Sequence, residues 1–357
     1  MTLCRLLACA ALVAALPADA QQTEPPVEAS EPHVTEIAVI RADPAVVRAF
    51  ATIESGHAAA NRDLVTLNQI PAPPFGEQAR GAAFAEMLRA SGVGEVSIDE
   101  VGNVIARRPG TGARTVMIAA HLDTVFPAET DVTVRIEGDR YTAPGIGDNT
   151  RGLVMLLELA RAIAAAEIAT NATILFVGNV GEEGPGDLRG VRHIFRQGAD
   201  HPEAFIAIDG GEENRLVSGG VGSNRYRVTF RGPGGHSWGA FGTANPHHAA
   251  ARAIALFDER ALSVTREGPR SSYNIGRIGG GTSVNSIPFE SWFEVDMRSG
   301  DPARIAALDA VFQAAMQEGL AAENADLSEG APLTVEIEDM GRRPAGPGDA
   351  EDALVQR

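Results

Sequence analysis

The sequence has almost no sulfur chemistry. Of its 357 residues only Cys4 and Cys9 are cysteines, and both fall inside a stretch, residues 1–20, with the composition of a cleaved leader. A mature chain without that leader has no thiol. Cysteine catalysis, thiolate metal sites and disulfide bonds are therefore excluded.

Lysine is absent as well. All 30 basic residues are arginine, so no Schiff-base lysine, P-loop lysine or Ser-x-x-Lys acylation site can exist. Acidic residues outnumber basic ones by 47 to 30, so the net charge is -17. A chain this acidic is not expected to have a nucleic acid as partner.

Long apolar runs are confined to the N-terminus, "MTLCRLLACAALVAALPADAQQ". Arg5 precedes an apolar stretch, and Ala18-Asp19-Ala20 matches a small-x-small cleavage site, so residues 1–20 are predicted to be a signal peptide. A membrane anchor or a lipoprotein site at Cys9 is the less favoured interpretation, because the apolar part is short. We expect a secreted or periplasmic protein with no membrane partner.

The length and the patterning predict two domains. Residues 21–45 are rich in Pro and Glu and are interpreted as a tail or spacer. Residues 46–222 alternate apolar runs with helical segments, which predicts an α/β fold with a mostly parallel, doubly wound sheet. Residues 223–332 predict an inserted α+β domain with an antiparallel sheet and two helices, and residues 333–357 a return to the first domain.

Polar side chains follow three apolar runs of the first domain. The runs "TVMIAA" (115–120), "ATILFVGNV" (172–180) and "EAFIAI" (203–208) are each followed by residues with metal-binding side chains, and a glycine-rich loop before a predicted helix at 151–166 carries one more. Parallel strands bring their carboxyl ends to one edge of a sheet. The side chains expected to meet there are those of His121, Asp123, Asp148, Glu182, Glu183 and Asp209.

One imidazole with several carboxylates is a donor set that suits zinc, manganese or cobalt. Two ions that share a bridging carboxylate would explain why so many acids lie together, and such a pair activates a water molecule. The adjacent residues Glu182 and Glu183 can then have different roles. One carboxylate binds metal, and its neighbour takes the proton from that water.

These residues occur in motifs that resemble a known family. "HLDTV", "GIGDNTRG", "EEG" and "IDGG" are similar, in order and spacing, to the di-zinc hydrolases that include peptidase T, carboxypeptidase G, aminoacylase and succinyl-diaminopimelate desuccinylase. "IPAPPFGEQARG" (70–81) and "GGHSWGAFGTANPHHAAARAI" (234–254) resemble the peptidase T-like branch. The resemblance covers most of the chain from about residue 45 onward.

The resemblance implies a role for each residue of the cluster. His121 and Asp209 would bind one ion, Asp148 would bridge both, and Glu183 would bind the other. Asp123 would orient the His121 ring. Glu182 would be the general base. Aspartate at position 209 is more similar to the aminopeptidase and dipeptidase members than to the carboxypeptidases and deacylases.

The second domain resembles the lid and dimerisation domain of the same family. By that resemblance His236 would stabilise the oxyanion, across the interface of a homodimer. Asn285 and Arg298 match positions that hold a substrate carboxylate, a task for which the bidentate arginine fork is suited. A surface arginine and a turn asparagine are the alternative interpretations of these two residues.

One expected ligand is missing. The family resemblance implies a last histidine near the C-terminus, whereas the eight histidines of this sequence end at His247 and His248. The final residues, "GPGDAEDALVQR", have the pattern of a helix start without a helix end. These two observations lead us to expect a truncated chain with a weakened second metal site.

Three other functions compete with hydrolysis of small peptides by an aminopeptidase-like or dipeptidase-like enzyme. An N-acyl amino acid deacylase would use the same residues. "GHSWG" matches the nucleophile motif of serine hydrolases and would make Ser237 the nucleophile. An inactive relative would bind metal without turnover.

Overall fold

The computed structural model describes residues 28–196, 201–210 and 215–357. Its first half contains, in chain order, helices α1 (Glu31–Arg41), α2 (Pro44–Asn68) and α3 (Gln78–Ser91), strands β1 (Glu95–Ile98), β2 (Val104–Arg108), β3 (Thr115–His121), β4 (Arg135–Glu137) and β5 (Arg140–Thr142), helix α4 (Arg151–Ala165), strand β6 (Thr173–Asn179), helix α5 (Arg189–Arg196) and strand β7 (Ala204–Ala207). The predicted signal peptide lies outside the described residues.

The second half is richer in strands. It contains, in chain order, strands β8 (Gly222–Arg231) and β9 (Gly235–His236), helix α6 (Pro246–Thr265), strands β10 (Ser271–Gly280), β11 (Ser286–Ile287) and β12 (Glu290–Ser299), helix α7 (Pro302–Ala325), strand β13 (Thr334–Arg343) and helix α8 (Ala353–Gln356). Among the helices of the described residues, none combines the length and apolar character needed to cross a bilayer.

The first sheet has five strands in the spatial order β1-β2-β6-β3-β7. Strand β3 is parallel to both of its neighbours, β6 and β7, whereas β2 and β1 continue the sheet in antiparallel pairing. The sheet is therefore mixed, and its parallel part consists of the three strands predicted to carry the site. Their carboxyl ends lie at one edge of the sheet.

Helices cover both faces of this sheet, as the predicted doubly wound fold requires. Alternate side chains of a strand point to opposite faces. Ala120 and Phe176 belong to the core formed with α2, α3 and α4, and Met117 and Val177 pack with Ile194 of α5 on the other face. The apolar stripe of α4 lies wholly in the larger core, where burial of each leucine contributes about 1.5–3 kcal/mol.

The second sheet is antiparallel, with the order β10-β12-β8-β13. Buried and less buried side chains alternate along strand β8, as the sequence predicts. Tyr226, Val228 and Phe230 are buried beneath α6 and α7, while Arg225 and Arg227 lie on the opposite face. The predicted α+β domain with two helices on one face of an antiparallel sheet is confirmed.

One predicted boundary differs from the sheet pairing in the structure. Strand β13 pairs with β8 along its length, so the second sheet extends past the predicted return at residue 333. Val335 and Ile337 pack into the second core, and this tertiary contact decides to which sheet the strand belongs. The segment 21–45, predicted to be a tail or spacer, contains helix α1, and none of the residues of α1 is buried.

The chain enters and leaves the second domain side by side. Gly220 and Gly346 exchange two backbone hydrogen bonds of 2.7 and 2.9 Å in antiparallel pairing. Strands β8 and β13 begin and end next to this pair. The pairing forms a hinge at which the second domain is inserted into the first.

Candidate metal centre

The predicted cluster forms at the carboxyl edge of the parallel strands. His121 is the last residue of β3, the Glu182–Glu183 pair follows β6, and Asp209 follows β7. Asp148 lies in the turn that leads into α4, where its own backbone angles are non-helical. Because β3 runs parallel between β6 and β7, the fold brings residues that are far apart in sequence to one edge.

His121 lies at the centre of the cluster. Its side chain is only 3% exposed, and its Nε2 atom lies 2.9 Å from Asp148 Oδ1 and 3.5 Å from Asp209 Oδ1. On the other side of the ring, Nδ1 donates to the backbone carbonyl of Asp123 at 2.9 Å. A carbonyl can only accept, so Nδ1 carries a proton in this bond, and Nε2 faces the carboxylates.

The cluster fits a divalent cation. Ligand atoms of His121, Asp148 and Glu183 all lie within 4.8 Å of one another, and Asp209 contacts the same imidazole. The donor set contains one nitrogen and several oxygens, which are the ligands that zinc, manganese and cobalt accept. Asp148 and Asp209 are also 61% and 52% exposed, so a cation can enter from solvent.

Asp123 is fully buried, and its carboxylate is occupied by the loop after β6. Its Oδ1 and Oδ2 accept the backbone N–H groups of Glu182 and Glu183 at 3.0 and 2.9 Å. Oδ1 lies 3.6 Å from His121 Nδ1. Of the oxygens of Asp123, the backbone carbonyl is therefore the one closest to the His121 ring. The carboxylate of Asp123 mainly fixes the glutamate pair.

Without a bound cation, the cluster holds several negatively charged carboxylates close together, and a cation would neutralise part of this charge. Burial and the charges of Asp148 and Glu182 raise the pKa of Glu183, and burial and the charge of Asp209 raise that of Glu182. Burial acts to lower the pKa of His121, but hydrogen bonds and charges from Asp123 and Asp209 outweigh it and raise the pKa to about 11. These shifts have the signs expected of carboxylates crowded around one imidazole.

His236 and Asn285 are brought together, but in the second domain. Strand β9, which contains His236, pairs with β11, and Ser237 donates its backbone N–H to the carbonyl of Asn285 at 3.0 Å. The His236 Nδ1 accepts long hydrogen bonds from the N–H groups of Trp238 and Gly239, at 3.3 and 3.4 Å. This arrangement leaves the proton on Nε2 of an exposed ring, which makes Nε2 a donor.

Arg298 lies at the opposite end of β12 from the Asn285 loop. Its register partner on β8 is Ser223, beside the hinge, and its Nε donates to Asp296 at 2.7 Å. Strand β8 is ten residues long, so its two ends are about 30 Å apart. Within one chain the structure thus separates Arg298 from His236 and Asn285.

Ser237 does not have the setting of a serine nucleophile. It follows the two-residue strand β9 in the antiparallel domain, whereas a nucleophile elbow joins a buried central strand to a helix. The remaining histidines of α6 are also engaged elsewhere. His247 contacts Ser291 at 2.8 Å and His248 lies 3.6 Å from Glu323, all within the second domain.

Sequence reasoning missed two residues that support the cluster. Arg80 is completely buried and donates to the backbone carbonyl of Leu122 at 3.0 Å, between His121 and Asp123. Glu77 is 1% exposed and contacts the loop before Glu182. Both lie in the motif at 70–81, but their partners are far away in sequence and no local pattern indicates them.

Comparison with known proteins gives consistent results. The chain is 27% identical to succinyl-diaminopimelate desuccinylase of Corynebacterium glutamicum over 241 residues, 65% of this chain and 64% of that protein. It is 23% identical to carboxypeptidase G2 of a Pseudomonas species over 201 residues, 55% of this chain and 47% of that protein. These matches span about half to two thirds of the length of the two relatives.

Solved structures share the fold. An aminopeptidase PepT of Bacillus cereus has a TM-score of 0.70 at 23% identity, covering 83% of this chain and 79% of that one. A tripeptidase of Staphylococcus aureus has a TM-score of 0.64 at 22% identity, with the same coverage. The sequence profile described as "Peptidase family M20/M25/M40" matches residues 117–346. This match includes every residue of the cluster and most of the chain, which therefore belongs to peptidase family M20/M25/M40.

Proposed function

We propose that this protein hydrolyses an amide bond in small peptides with the help of two divalent metal ions, most simply zinc, with cobalt or manganese as alternatives. The observation that carries the proposal is the convergence of His121, Asp148 and Glu183 within 4.8 Å at the carboxyl edge of the sheet. Membership of a peptidase family supports it. The aminopeptidase and tripeptidase that share the fold favour peptides as substrates.

The cluster divides into two sets of ligands. His121 and Asp209 would hold one ion, Glu183 would hold the other, and Asp148 would contribute to both sets. Such ions would polarise a carbonyl group and lower the pKa of water enough for it to lose a proton near neutral pH. Asp123 supports both sets, because its carbonyl accepts from the His121 ring and its carboxylate accepts from the amides of the glutamate pair.

Glu182 is the general base. It is half-buried next to the cluster, and burial together with the charge of Asp209 raises its pKa. A carboxylate whose pKa is raised toward the working pH is a better proton acceptor than an exposed one. Its carboxylate takes the proton from the attacking water and delivers it to the leaving amine.

His236 and Asn285 act in a homodimer, at the site of a second copy of the chain. In their own chain they lie beyond the far end of β8, about 30 Å from the hinge. The loops around them expose large apolar side chains, Trp238 at 89%, Phe241 at 85% and Phe289 at 66%. An interface would bury these side chains and bring the His236 Nε2 donor to the oxyanion of the partner's substrate.

Arg298 binds a carboxylate of the substrate. It lies at the hinge end of the second sheet and is exposed, with its guanidinium held by Asp296. An arginine fork held in this way can form paired hydrogen bonds with a carboxylate.

A second candidate is hydrolysis of an N-acyl amino acid. It is supported by the match to a desuccinylase. Assays of a dipeptide, a tripeptide and an N-succinyl amino acid with the zinc-loaded protein separate the two. Faster turnover of the peptides supports a peptidase, and faster turnover of the succinyl compound contradicts it.

Substitution of the base tests the proposed function directly. Glu182→Ala is expected to lower kcat at least about 100-fold while the zinc content is unchanged. Glu86→Ala, which removes an exposed glutamate of α3, is the control and should match the wild type. Loss of zinc in Glu182→Ala would make Glu182 a ligand, and zinc binding without hydrolysis by the wild type would make the protein an inactive relative. Inhibition by phenylmethylsulfonyl fluoride but not by a chelator would favour the Ser237 alternative.

Export to the periplasm or beyond is proposed from the sequence of residues 1–20. N-terminal sequencing of the protein expressed in its native host should begin after Ala20. A protein that retains these residues contradicts cleavage.

A further inference from the structure

Three consecutive backbone amides in front of and within the glutamate pair are held by two buried carboxylates. Gly181 donates its N–H to Glu77 Oε1 at 3.1 Å, and Glu182 and Glu183 donate theirs to Asp123. Asp123 lies inside the cluster. Glu77 comes from a different part of the chain, outside the residues matched to the family profile.

Glu77 occupies the N-cap position of α3, yet its side chain does not cap that helix. Its Oε1 accepts from the Gly181 N–H at 3.1 Å, and both of its oxygens accept from the guanidinium of Arg189 at 2.8 to 3.0 Å. Short polar side chains at an N-cap ordinarily accept from their own helix. The longer side chain of Glu77 instead contacts the loop that follows β6.

Gly181 is the residue whose backbone most needs a restraint. It adopts a φ of +62°, which glycine tolerates and other residues rarely do, and a Cβ there would lie 2.2 Å from Arg189 Nη1. Glycine also has the widest choice of backbone angles. A change in the backbone angles of Gly181 would alter the direction in which the chain enters the glutamate pair.

We propose that Glu77 is a positioning residue, which by accepting from Gly181 holds Glu182 and Glu183 in the orientation needed for proton transfer and metal binding. The inference rests on the function proposed above and adds a residue to it. Arg189 assists Glu77. It fixes the Glu77 carboxylate and lies with its guanidinium carbon 4.7 Å from the centre of the exposed Phe75 ring.

The two partners of the ion pair allow positioning to be separated from stability. Glu77→Met removes the acceptor for Gly181 and leaves Arg189, which is 22% exposed and can reach water. Arg189→Met keeps that acceptor but leaves a carboxylate that is 2% exposed without its cation. Since an unpaired buried charge is costly, Arg189→Met should be the less stable variant, whereas Glu77→Met should be the less active one.

The measurements are the midpoint of urea unfolding, kcat and KM on a peptide, and the visible absorption spectrum during titration with cobalt(II). We expect Glu77→Met to lower kcat about 10- to 100-fold with KM within about threefold, and to alter the cobalt spectrum. Arg189→Met should lose more stability and less kcat, with a spectrum close to wild type. Glu86→Gln on the same helix is the matched control and should change none of these quantities.

Activity losses that follow the stability losses, or equal kcat losses in both variants, would overturn the inference. If Glu77→Met does not fold, Glu77→Asp takes its place. This variant keeps the charge but is one methylene too short to reach both partners, so it should lose kcat at near-normal stability, and a normal kcat overturns the inference. A wild-type protein that fails to hydrolyse peptides with cobalt or zinc overturns the proposed function as well. An active wild type whose Glu77 variants remain active overturns this inference alone.

Discussion

At the scale of single residues, the charge state of His121 governs how the protein takes up metal. Its pKa of about 11 in the metal-free chain lies above neutral pH, so the ring carries a positive charge there. A metal ion can bind only the neutral ring and must displace a proton from it. Zinc binding near neutral pH should therefore release about one proton from this residue.

Calorimetry in buffers of different ionisation enthalpy measures this proton release. Because the proton must leave, the apparent zinc affinity should rise about tenfold for each pH unit between 6.5 and 8. His193→Gln, which changes a histidine of α5 outside the cluster, is the control and should show the same release. Zinc affinity that is independent of pH would mean that the ring is already neutral.

Arg80 supports the cluster from beneath. Its guanidinium donates to the carbonyls of Leu122, Ile70 and Asn68, and all of its surface is buried. Arg80→Met leaves these carbonyls without their guanidinium donor and removes one positive charge that acts on Asp123. The free energy of unfolding should fall by about 3 kcal/mol or more.

Urea unfolding compares this variant with Arg89→Met, which removes an exposed arginine of the same helix with one ion pair to Glu86. The control should lose less than about 1 kcal/mol. Equal losses would show that the buried bonds of Arg80 contribute nothing beyond those of a surface arginine.

At the scale of secondary structure elements, the sequence predicts those with strong local patterns. Strands β3, β6 and β7 are predicted from their apolar runs, and helix α4 from its apolar stripe. The order of the three strands also predicts the edge of the sheet at which the site lies. The register of β13 could not be inferred, because its alternation fits either sheet and only its packing against β8 decides. The contact of Glu77 with Gly181 links residues 104 positions apart and leaves no local signal.

Helix α7 offers a test of local structure in the second domain. Asp301 is its N-cap and accepts from the Ala303 N–H at 2.8 Å. Asp301→Ala should lower the free energy of unfolding by about 1 kcal/mol, and Asp301→Asn should restore most of it because asparagine caps equally well. Thermal or urea unfolding measures both, with zinc affinity unchanged. Equal stability of the alanine variant and the wild type would contradict the assigned cap.

At the scale of the whole molecule, the proposed homodimer predicts that His236 acts at the site of the partner chain. Glu182→Ala and His236→Ala variants should each be inactive alone. In a mixed dimer, the chain with Glu182 receives His236 from its partner, so one of the two sites is complete. Equal mixtures that are unfolded and refolded together should recover roughly a quarter of wild-type activity.

The control is a mixture of Glu182→Ala with a Glu182→Ala/His236→Ala double variant, which has no complete site in any pairing. Size-exclusion chromatography should show a dimer for every variant. If both single variants are inactive, no recovery in the first mixture would place His236 at the site of its own chain. An active His236→Ala variant would place His236 outside catalysis.

The most direct test of the metal centre is an anomalous difference map, recorded at the zinc absorption edge, from crystals of the zinc-loaded protein. Peaks are expected about 2.0–2.2 Å from His121 Nε2 and from carboxylate oxygens of Asp148, Asp209 and Glu183. A map with no peak among these side chains, or with zinc bound only elsewhere on the molecule, would contradict the proposed metal centre.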